Sequence, residues 1–383
     1  MHLGLTPDQE FFQETTRKFL DAQCSPAELR TLATDPLGYR PEWWRQGAEL
    51  GWTTPLVPEA RGGGSISGAG LADLSLAAFE FGRHAAPGTF IPTNVAAFTL
   101  AQDPAPSPPV TAWLDRLLSG AATAAWLRAD PSGVGLDGAP LTARAAPGGG
   151  LVLDGRAPVA EGAADADVLL VRARTEGGLV QAVVEAGAAG IRRQRLHGVD
   201  LTRRWAAVDL DGVEVGPDQL IGRADQVIGG AGLAEHQLCV ALCLQQAESV
   251  GAMQAAFDMT LEWTANRYSF GRPLSSYQEI KHRMADMRMW LEASYAITVA
   301  AIDAFDADRP DASELASAAK AYVGHFGPEL VQDCVQIHGG IGVTFDHDLH
   351  LFLRRVTAGV PAYGSPAQHR RRLAGMVAQR AAS

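Results

Sequence analysis

An α+β chain, mostly α, is predicted: an N-terminal helical domain over 1–118, a middle β domain over 119–222 and a C-terminal four-helix bundle over 223–383. Three observations predict it. Seventeen of the 22 prolines lie before residue 223, which leaves the C-terminal part free for long helices. Two β-prone runs, 168–174 and 179–184, flank Gly177-Gly178, a hairpin signal. Apolar residues then recur every three to four positions after residue 233.

In chain order, Thr6 before Pro7 and Asp8 makes a good N-cap, and Phe11, Phe12, Phe19 and Leu20 are expected to form a buried face. Residues 71–81 read as a further helix. The Ala- and Pro-rich stretch 101–110 reads as the linker to the β domain, in which 151–153 and 206–210 are additional strands. From 233 to 266, Val250, Met253, Phe257 and Leu261 make one apolar stripe. From 276 to 305, Tyr277, Ile280, Met284, Met287 and Leu291 make another. Asp311 and Glu314 are placed to form a capping box for a third helix ending near Gly339, and Asp346 is the expected N-cap of a fourth. Four helices joined by short breaks read as a bundle.

Composition narrows the function. At 383 residues, 47% hydrophobic and 20% charged, the chain can bury a large core. A formal charge of −11 argues against nucleic-acid or anionic-membrane binding, since both require surplus Lys and Arg. No apolar run approaches a bilayer span and no signal-peptide core follows Met1, so the cytoplasm is the expected compartment. Cys24, Cys239, Cys243 and Cys334 form no C-x-x-C pair; Cys239 and Cys243, four apart, read as buried small hydrophobes.

Two stretches carry the functional signal. Arg267-Tyr-Ser269-Phe270-Gly271-Arg272-Pro273 runs on to Tyr277-Gln278 at a break between helices, and Gln336-Ile-His-Gly339-Gly340-Ile-Gly342 closes a helix on a glycine turn. Arginine holds a pyrophosphate bidentately, and glycines let backbone N–H groups approach oxygen closely. The third glycine of a Rossmann fingerprint is absent, and so are a Walker loop and a Gly-x-Ser-x-Gly elbow. A dinucleotide bound here is therefore held by helices.

In their order, these motifs resemble the acyl-CoA dehydrogenase family, as do Glu49-Leu-Gly51-Trp52, Val57-Pro58-Glu59, Gly62-Gly63 and Phe81-Gly82-Arg83 nearer the N-terminus. The resemblance spans most of the chain. It implies FAD as cofactor and α,β-dehydrogenation of an acyl-CoA thioester, with an electron-transferring flavoprotein as acceptor. Carried across, it places Arg267, Ser269 and Phe270 at the FAD pyrophosphate region with Tyr277 and Gln278 nearby. Gln336, Gly339 and Gly340 would reach the adenosine half from a neighbouring subunit, in a dimer of dimers.

The same resemblance leaves the catalytic residue unknown. Where members carry the catalytic glutamate, this chain has Tyr363, or, in the alternative position ten residues before Gly251, Ala241. A tyrosine with an ordinary pKa near 10 is a poor base at neutral pH. Glu248, seven residues after Ala241, lies about 10 Å along the helix and reads as structural; Glu235 is weaker still. The flavin-lining Thr-Glu-Pro and Trp-Ile-Thr/Ser stretches are matched only by Arg128-Ala-Asp130-Pro131 and Pro158-Val159-Ala160. Gly339 to Asp348 is similar to actinobacterial steroid-type members that work as mixed tetramers, which implies a homologous partner chain that supplies the base and a bulky or steroid-derived acyl group. Two alternatives stand beside this: a non-catalytic subunit completing a partner's FAD site, and a metal-dependent hydrolase using His338, His347 and His350. The second is disfavoured, and no metal is expected.

Overall fold

A computed structural model of the chain describes residues 4–128, 141–221 and 231–382. Six helices come first: α1 (Pro7–Gln23), α2 (Pro26–Thr34), α3 (Pro41–Glu49), α4 (Gly70–Arg83), α5 (Phe90–Ala101) and α6 (Pro108–Leu118). Thr6 caps α1 in a full capping box: its Oγ1 accepts from the Gln9 N–H at 3.2 Å while Gln9 Oε1 accepts from the Thr6 N–H at 3.1 Å. Ser25 and Ser107, each followed by proline, cap α2 and α6 by one bond each, their Oγ accepting from the Glu28 and Val110 N–H groups at 3.3 Å. Phe12 and Leu20 are buried, but Phe11 is 73% exposed. Adjacent helical residues point about 100° apart, so a single inward stripe accepts only one of the two phenyl groups. The stretch 101–110 is the break between α5 and α6, not a linker to the sheet.

Strands β1 (Ala124–Leu127), β2 (Thr142–Ala145), β3 (Leu151–Glu161), β4 (Val168–Thr175), β5 (Gly178–Glu185), β6 (Ile191–Leu196) and β7 (Trp205–Val215) form one seven-stranded sheet. Its order is β1-β4-β2-β3-β7-β6, with β5 paired to β4. The hairpin expected at Gly177-Gly178 is β4–β5, closing at Thr175 opposite Gly178. Between Ala157 and Ala160 the register of β3 on β7 shifts, so Pro158 and Val159 have no cross-strand partner. Proline lacks the N–H that a ladder needs and is tolerated at such a bulge. Pairing resumes with Ala160 opposite Ala206 and Glu161 opposite Trp205, which puts Glu161 at the very end of β3.

The last part holds α7 (Ala231–Asn266), the two-residue strands β8 (Tyr268–Ser269) and β9 (Arg272–Pro273), then α8 (Gln278–Asp306), α9 (Ala312–His338), α10 (Leu349–Gly359) and α11 (Pro366–Ala382). Helices α7, α8 and α9 pack on one another, α10 sits against α7 and α9, and α11 lies along α9. The stripes hold at Val250, Met253, Phe257, Met287 and Leu291, all buried, while Leu261 is 53% exposed near the end of α7. Neither expected acidic cap forms. Asp311 precedes α9 but its carboxylate is bound by Arg309, and α10 starts after Asp348, whose side chain pairs with Arg30 at 2.6 Å. Cys239 and Cys243 are buried, as expected of small hydrophobes.

One continuous apolar core joins the N-terminal helices to the bundle, and the sheet has a second core of its own. Inside the first, Lys320 on α9 is fully buried and donates to Gln245 Oε1 (2.7 Å) and the Gly359 carbonyl (2.6 Å), both neutral. Burial, with repulsion from Arg128, pulls its pKa down to about 7. A folded pKa depressed below the unfolded one gives stability that is lost as pH falls from the unfolded value, 10.5, through about 7. Both acceptors keep other donors, Gln246 Nε2 and Gln245 Nε2. Lys320→Met is therefore expected to stabilise the fold by about 1–4 kcal/mol near neutral pH. Thermal melts should show that gain shrinking as the pH rises toward 10; a variant less stable than wild type at neutral pH sinks the expectation.

Candidate active site and cofactor face

Where the end of the sheet meets α5 and the turn between α10 and α11, a cavity of about 480 Å³ opens, walled by Trp126, Arg128, Glu161, His197, Trp205 and Tyr363 among others. Trp126 comes from β1, and Trp205 and Glu161 face each other across the β3–β7 ladder. Pro158 and Val159, from the bulge, also line it. The aromatic surface that the 158–160 stretch lacks is thus supplied by neighbouring strands. Asp130 and Pro131 lie outside the described residues.

Tyr363 holds a left-handed backbone (φ 57°), which costs a non-glycine residue about 1–3 kcal/mol and must be held by its surroundings. Its ring stacks on Trp126 (6.2 Å between centroids, 27° between planes), the Arg128 guanidinium lies over both rings, and its carbonyl accepts from His369 Nε2 at 2.9 Å. Burial raises the phenol well above its usual pKa, with Glu161 adding to the effect, so it stays protonated and is no base. Its hydroxyl lies 3.5 Å from Glu161 Oε2.

One residue of this wall, Glu161, belongs to a buried charge cluster drawn from four segments: Glu161, Asp200 with Arg203, Glu248 on α7, and Arg355 on α10. Arg203 Nε is 3.3 Å from Glu161 Oε1, and its other nitrogens donate to Glu248 and the Gly88 carbonyl. Arg355 donates to Asp200 Oδ2 (2.5 Å), to Glu248, to Thr202 and to the Ala85 and Ala86 carbonyls. Two guanidiniums face three carboxylates, so one negative charge is in excess. Burial would raise Asp200, but Arg355 and Arg203 outweigh it and hold that carboxyl below the ordinary range. The excess falls on Glu161: burial lifts its pKa to about 7, with Arg203 opposing and Glu248 adding.

Both expected homes of a catalytic glutamate are indeed empty of carboxylate, Ala241 being sealed in the core. Glu248 is fully engaged by Arg203 and Arg355, and Glu235 pairs with Arg372. The carboxylate at the cavity is Glu161, which sequence reasoning passed over. It stands one residue after the matched Pro158-Val159-Ala160 stretch, and no local motif marks it.

The nucleotide-type motifs lie elsewhere, on one outer face. Arg267 is exposed, stands 5.7 Å over the Trp263 ring and has no carboxylate partner among the described residues. Phe270 is 98% exposed with φ 50°. Tyr277 donates through its hydroxyl to the Ser269 carbonyl at 2.7 Å under the Arg272 guanidinium, and the exposed Gln278 meets His282 at 2.9 Å. Gln336, Gly339 and Gly340 are exposed at the end of α9, and an added Cβ at either glycine meets nothing within 4 Å. The two motifs belong to one chain's surface: Trp263, beside Arg267, stacks on His338 (5.1 Å, 21°), the residue before Gly339. An unneutralised guanidinium, a bare phenyl group and open glycine N–H groups fit the anionic, aromatic nucleotide end of FAD.

Two of the three histidines, His338 and His347, meet edge to face with ring centroids 4.6 Å apart. His338 Nδ1 faces the Cys334 carbonyl, His347 Nδ1 accepts from the Leu349 N–H, and His350 packs on Phe345. Among the described residues no group of three His, Cys, Asp or Glu is placed to hold a metal, and no helix is long and apolar enough to cross a membrane.

A helical N-terminal part, a β sheet and a helical bundle, with an aromatic cavity at their junction, define a flavoprotein dehydrogenase architecture. The chain belongs to the acyl-CoA dehydrogenase family: the models of its N-terminal and C-terminal domains match residues 6–107 and 229–377. Acyl-CoA dehydrogenase IpdE2 of Mycolicibacterium smegmatis is 27% identical over 370 residues, covering 96% of this chain and 98% of that protein. A variant of the Tcur3481–Tcur3483 steroid ACAD superposes with a TM-score of 0.86 at 26% identity, covering 98% of this chain and 99% of that one. The ChsE4–ChsE5 complex from Mycobacterium tuberculosis is similar in fold, with a TM-score of 0.85 at 24% identity over 99% of both chains. FAD is the cofactor, and acyl-CoA thioesters are the family's substrates.

Proposed function

We propose that this chain is one subunit of a heteromeric, cytoplasmic acyl-CoA dehydrogenase that oxidises a bulky or steroid-derived acyl-CoA and passes electrons to an electron-transferring flavoprotein. The observation that carries the reading is the outward face built from Arg267, Ser269, Phe270, Tyr277, Gln278, Gln336, Gly339 and Gly340. These groups are exposed or half-exposed; Phe270 is 98% exposed, and Arg267 has no carboxylate partner among the described residues. A nucleotide bound where this face meets a homologous neighbour, in a tetramer of two chain types, would cover them. Similarity to a steroid ACAD and to a two-component complex supports both the substrate class and the mixed assembly.

In that assembly Arg267 would meet the pyrophosphate, Phe270 would pack on the nucleotide, and the turn at Gly339 and Gly340 would offer N–H groups to the adenosine end. Bound FAD supplies the hydride acceptor, which no side chain can. The cavity walled by Trp126, Trp205 and Tyr363 would exclude water from the acyl Cα–Cβ bond, with Arg128 and His197 beside the polar end.

A charged hydrogen-bond donor removed from a phosphate contact costs about 1.5–3 kcal/mol, so Arg267→Ala should weaken flavin retention about ten- to a hundredfold. A flavin count per tetramer after gel filtration of the co-purified assembly measures it; full occupancy contradicts the assignment. The vacancy at positions 241 and 363 favours a second reading, a subunit without chemistry that completes a partner's FAD site. Flavin bleaching by acyl-CoA in a tetramer whose partner chain carries an inactivating substitution separates the two.

A further inference from the structure

We infer that Glu161 is the base that removes the α-proton of the acyl thioester in this chain's own cavity, replacing the glutamate absent from positions 241 and 363. The inference rests on the dehydrogenase reading above. Its grounds are geometric. Tyr363 stands where many family members carry their base, and the Glu161 carboxylate ends 3.5 Å from its hydroxyl. A carboxylate therefore reaches the same corner of the cavity from the opposite wall, from the end of a strand instead of the loop before α11. The bulge at Pro158 and Val159 re-registers β3 so that its last side chain joins the cavity lining.

The carboxylate is also incompletely used. Glu161 is buried, yet among the described residues its Oε1 accepts no hydrogen bond; Arg203 Nε is 3.3 Å away without hydrogen-bond geometry. The groups that face it are Arg203, Glu248, Arg355, Asp200 and Tyr363. With two cations against three carboxylates, taking up one proton brings the cluster to neutrality, so proton abstraction relieves a charge imbalance. A pKa lifted to about 7 leaves a sizeable ionised fraction at neutral pH and a conjugate acid that forms readily. The Cα–H bond breaks and its proton passes to a Glu161 oxygen. The freed pair becomes the Cα=Cβ bond, and the Cβ hydrogen leaves with its own pair as hydride to FAD, which is reduced by two electrons.

The test uses the FAD-loaded assembly with butanoyl-CoA and 3-cyclohexylpropanoyl-CoA as probes, following flavin bleaching, probe binding and loss of deuterium from Cα. Glu161→Gln should slow bleaching about 10²–10⁴-fold and abolish deuterium loss, with probe affinity within about threefold of wild type. Glu161→Asp, which keeps the acid but retracts it by one methylene, should retain the acid limb of the pH–rate profile at a rate about 10–100-fold lower. If Glu161→Gln does not fold, the aspartate variant decides alone. Bleaching by either variant at the wild-type rate places the base elsewhere, in the partner chain, and overturns this inference while the dehydrogenase reading stands. A wild-type assembly that holds FAD but neither bleaches nor exchanges deuterium with either probe overturns both.

Discussion

Replacing Arg355 by methionine is expected to destabilise the chain by about 3–5 kcal/mol, because it strands carboxylates that are buried out of reach of water. Arg355 is 5% exposed and bonds five groups from three other segments: Asp200, Thr202, Glu248 and the Ala85 and Ala86 carbonyls. Methionine fills much the same volume, so packing loss is minor and the cost is electrostatic. Asp200 would keep only the Thr202 N–H at 2.9 Å and its hydroxyl at 2.8 Å, and Glu248 only Arg203. The pH dependence gives a second readout. Asp200 is held below its ordinary pKa by Arg355 and Arg203, so its contribution is present above the unfolded value of 3.8 and is lost as pH falls through the folded one. Without Arg355 that carboxyl protonates at higher pH, so the gap between variant and wild type should narrow as pH drops from about 7 toward 5. Thermal midpoints at both pH values measure this, and a loss under about 1 kcal/mol would show that the cluster contributes little.

The architecture was legible because local rules and burial agree. Proline-free sequence from 233 to 266, an apolar stripe through Val250 and Met253, and Gly177-Gly178 between β-prone runs each specify part of the fold, and each part forms. The acidic caps failed for a different reason. Asp311 has the right residue type in the right place, but Arg309, two residues earlier, binds its carboxylate and removes it from the helix end. Asp346 fails because α10 begins only at Leu349, and Asp348, which does stand at that helix end, is bound by Arg30, over three hundred residues distant in sequence. Capping competes with any cation the fold brings near, and local sequence does not announce that cation.

The two parts of the site differ in the same way. Arg267, Phe270 and the Gly339-Gly340 turn lie in short contiguous motifs, so each was readable, whereas their closeness within one chain, through Trp263 stacked on His338, was not. The charge cluster has no motif at all. Glu161, Asp200, Arg203, Glu248 and Arg355 come from a strand end, a loop and two helices, and only the folded chain shows three carboxylates against two guanidiniums.

Adding a single methyl group at Gly251 should cost about 3 kcal/mol, the upper end of overpacking penalties, although alanine is the better helix former by about 1 kcal/mol. A Cβ there would meet the Phe79 carbonyl oxygen at 2.0 Å, and one at Gly82 would meet the Glu248 carbonyl oxygen at 1.7 Å. Helices α4 and α7 thus cross backbone to backbone, each glycine against the other helix, and backbone atoms cannot rotate aside as a side chain can. Gly251→Ala must push the helices apart, and because α7 carries Glu248, the shift also moves the anchor of Arg203 and Arg355 behind the cavity. Gly375 on α11 is the control: it is exposed with nothing within 4 Å of an added Cβ. Gly375→Ala should raise stability by up to about 1 kcal/mol. Equal and favourable shifts in both variants would mean that α4 and α7 have room to spare, and the close crossing would lose its role in fixing the site.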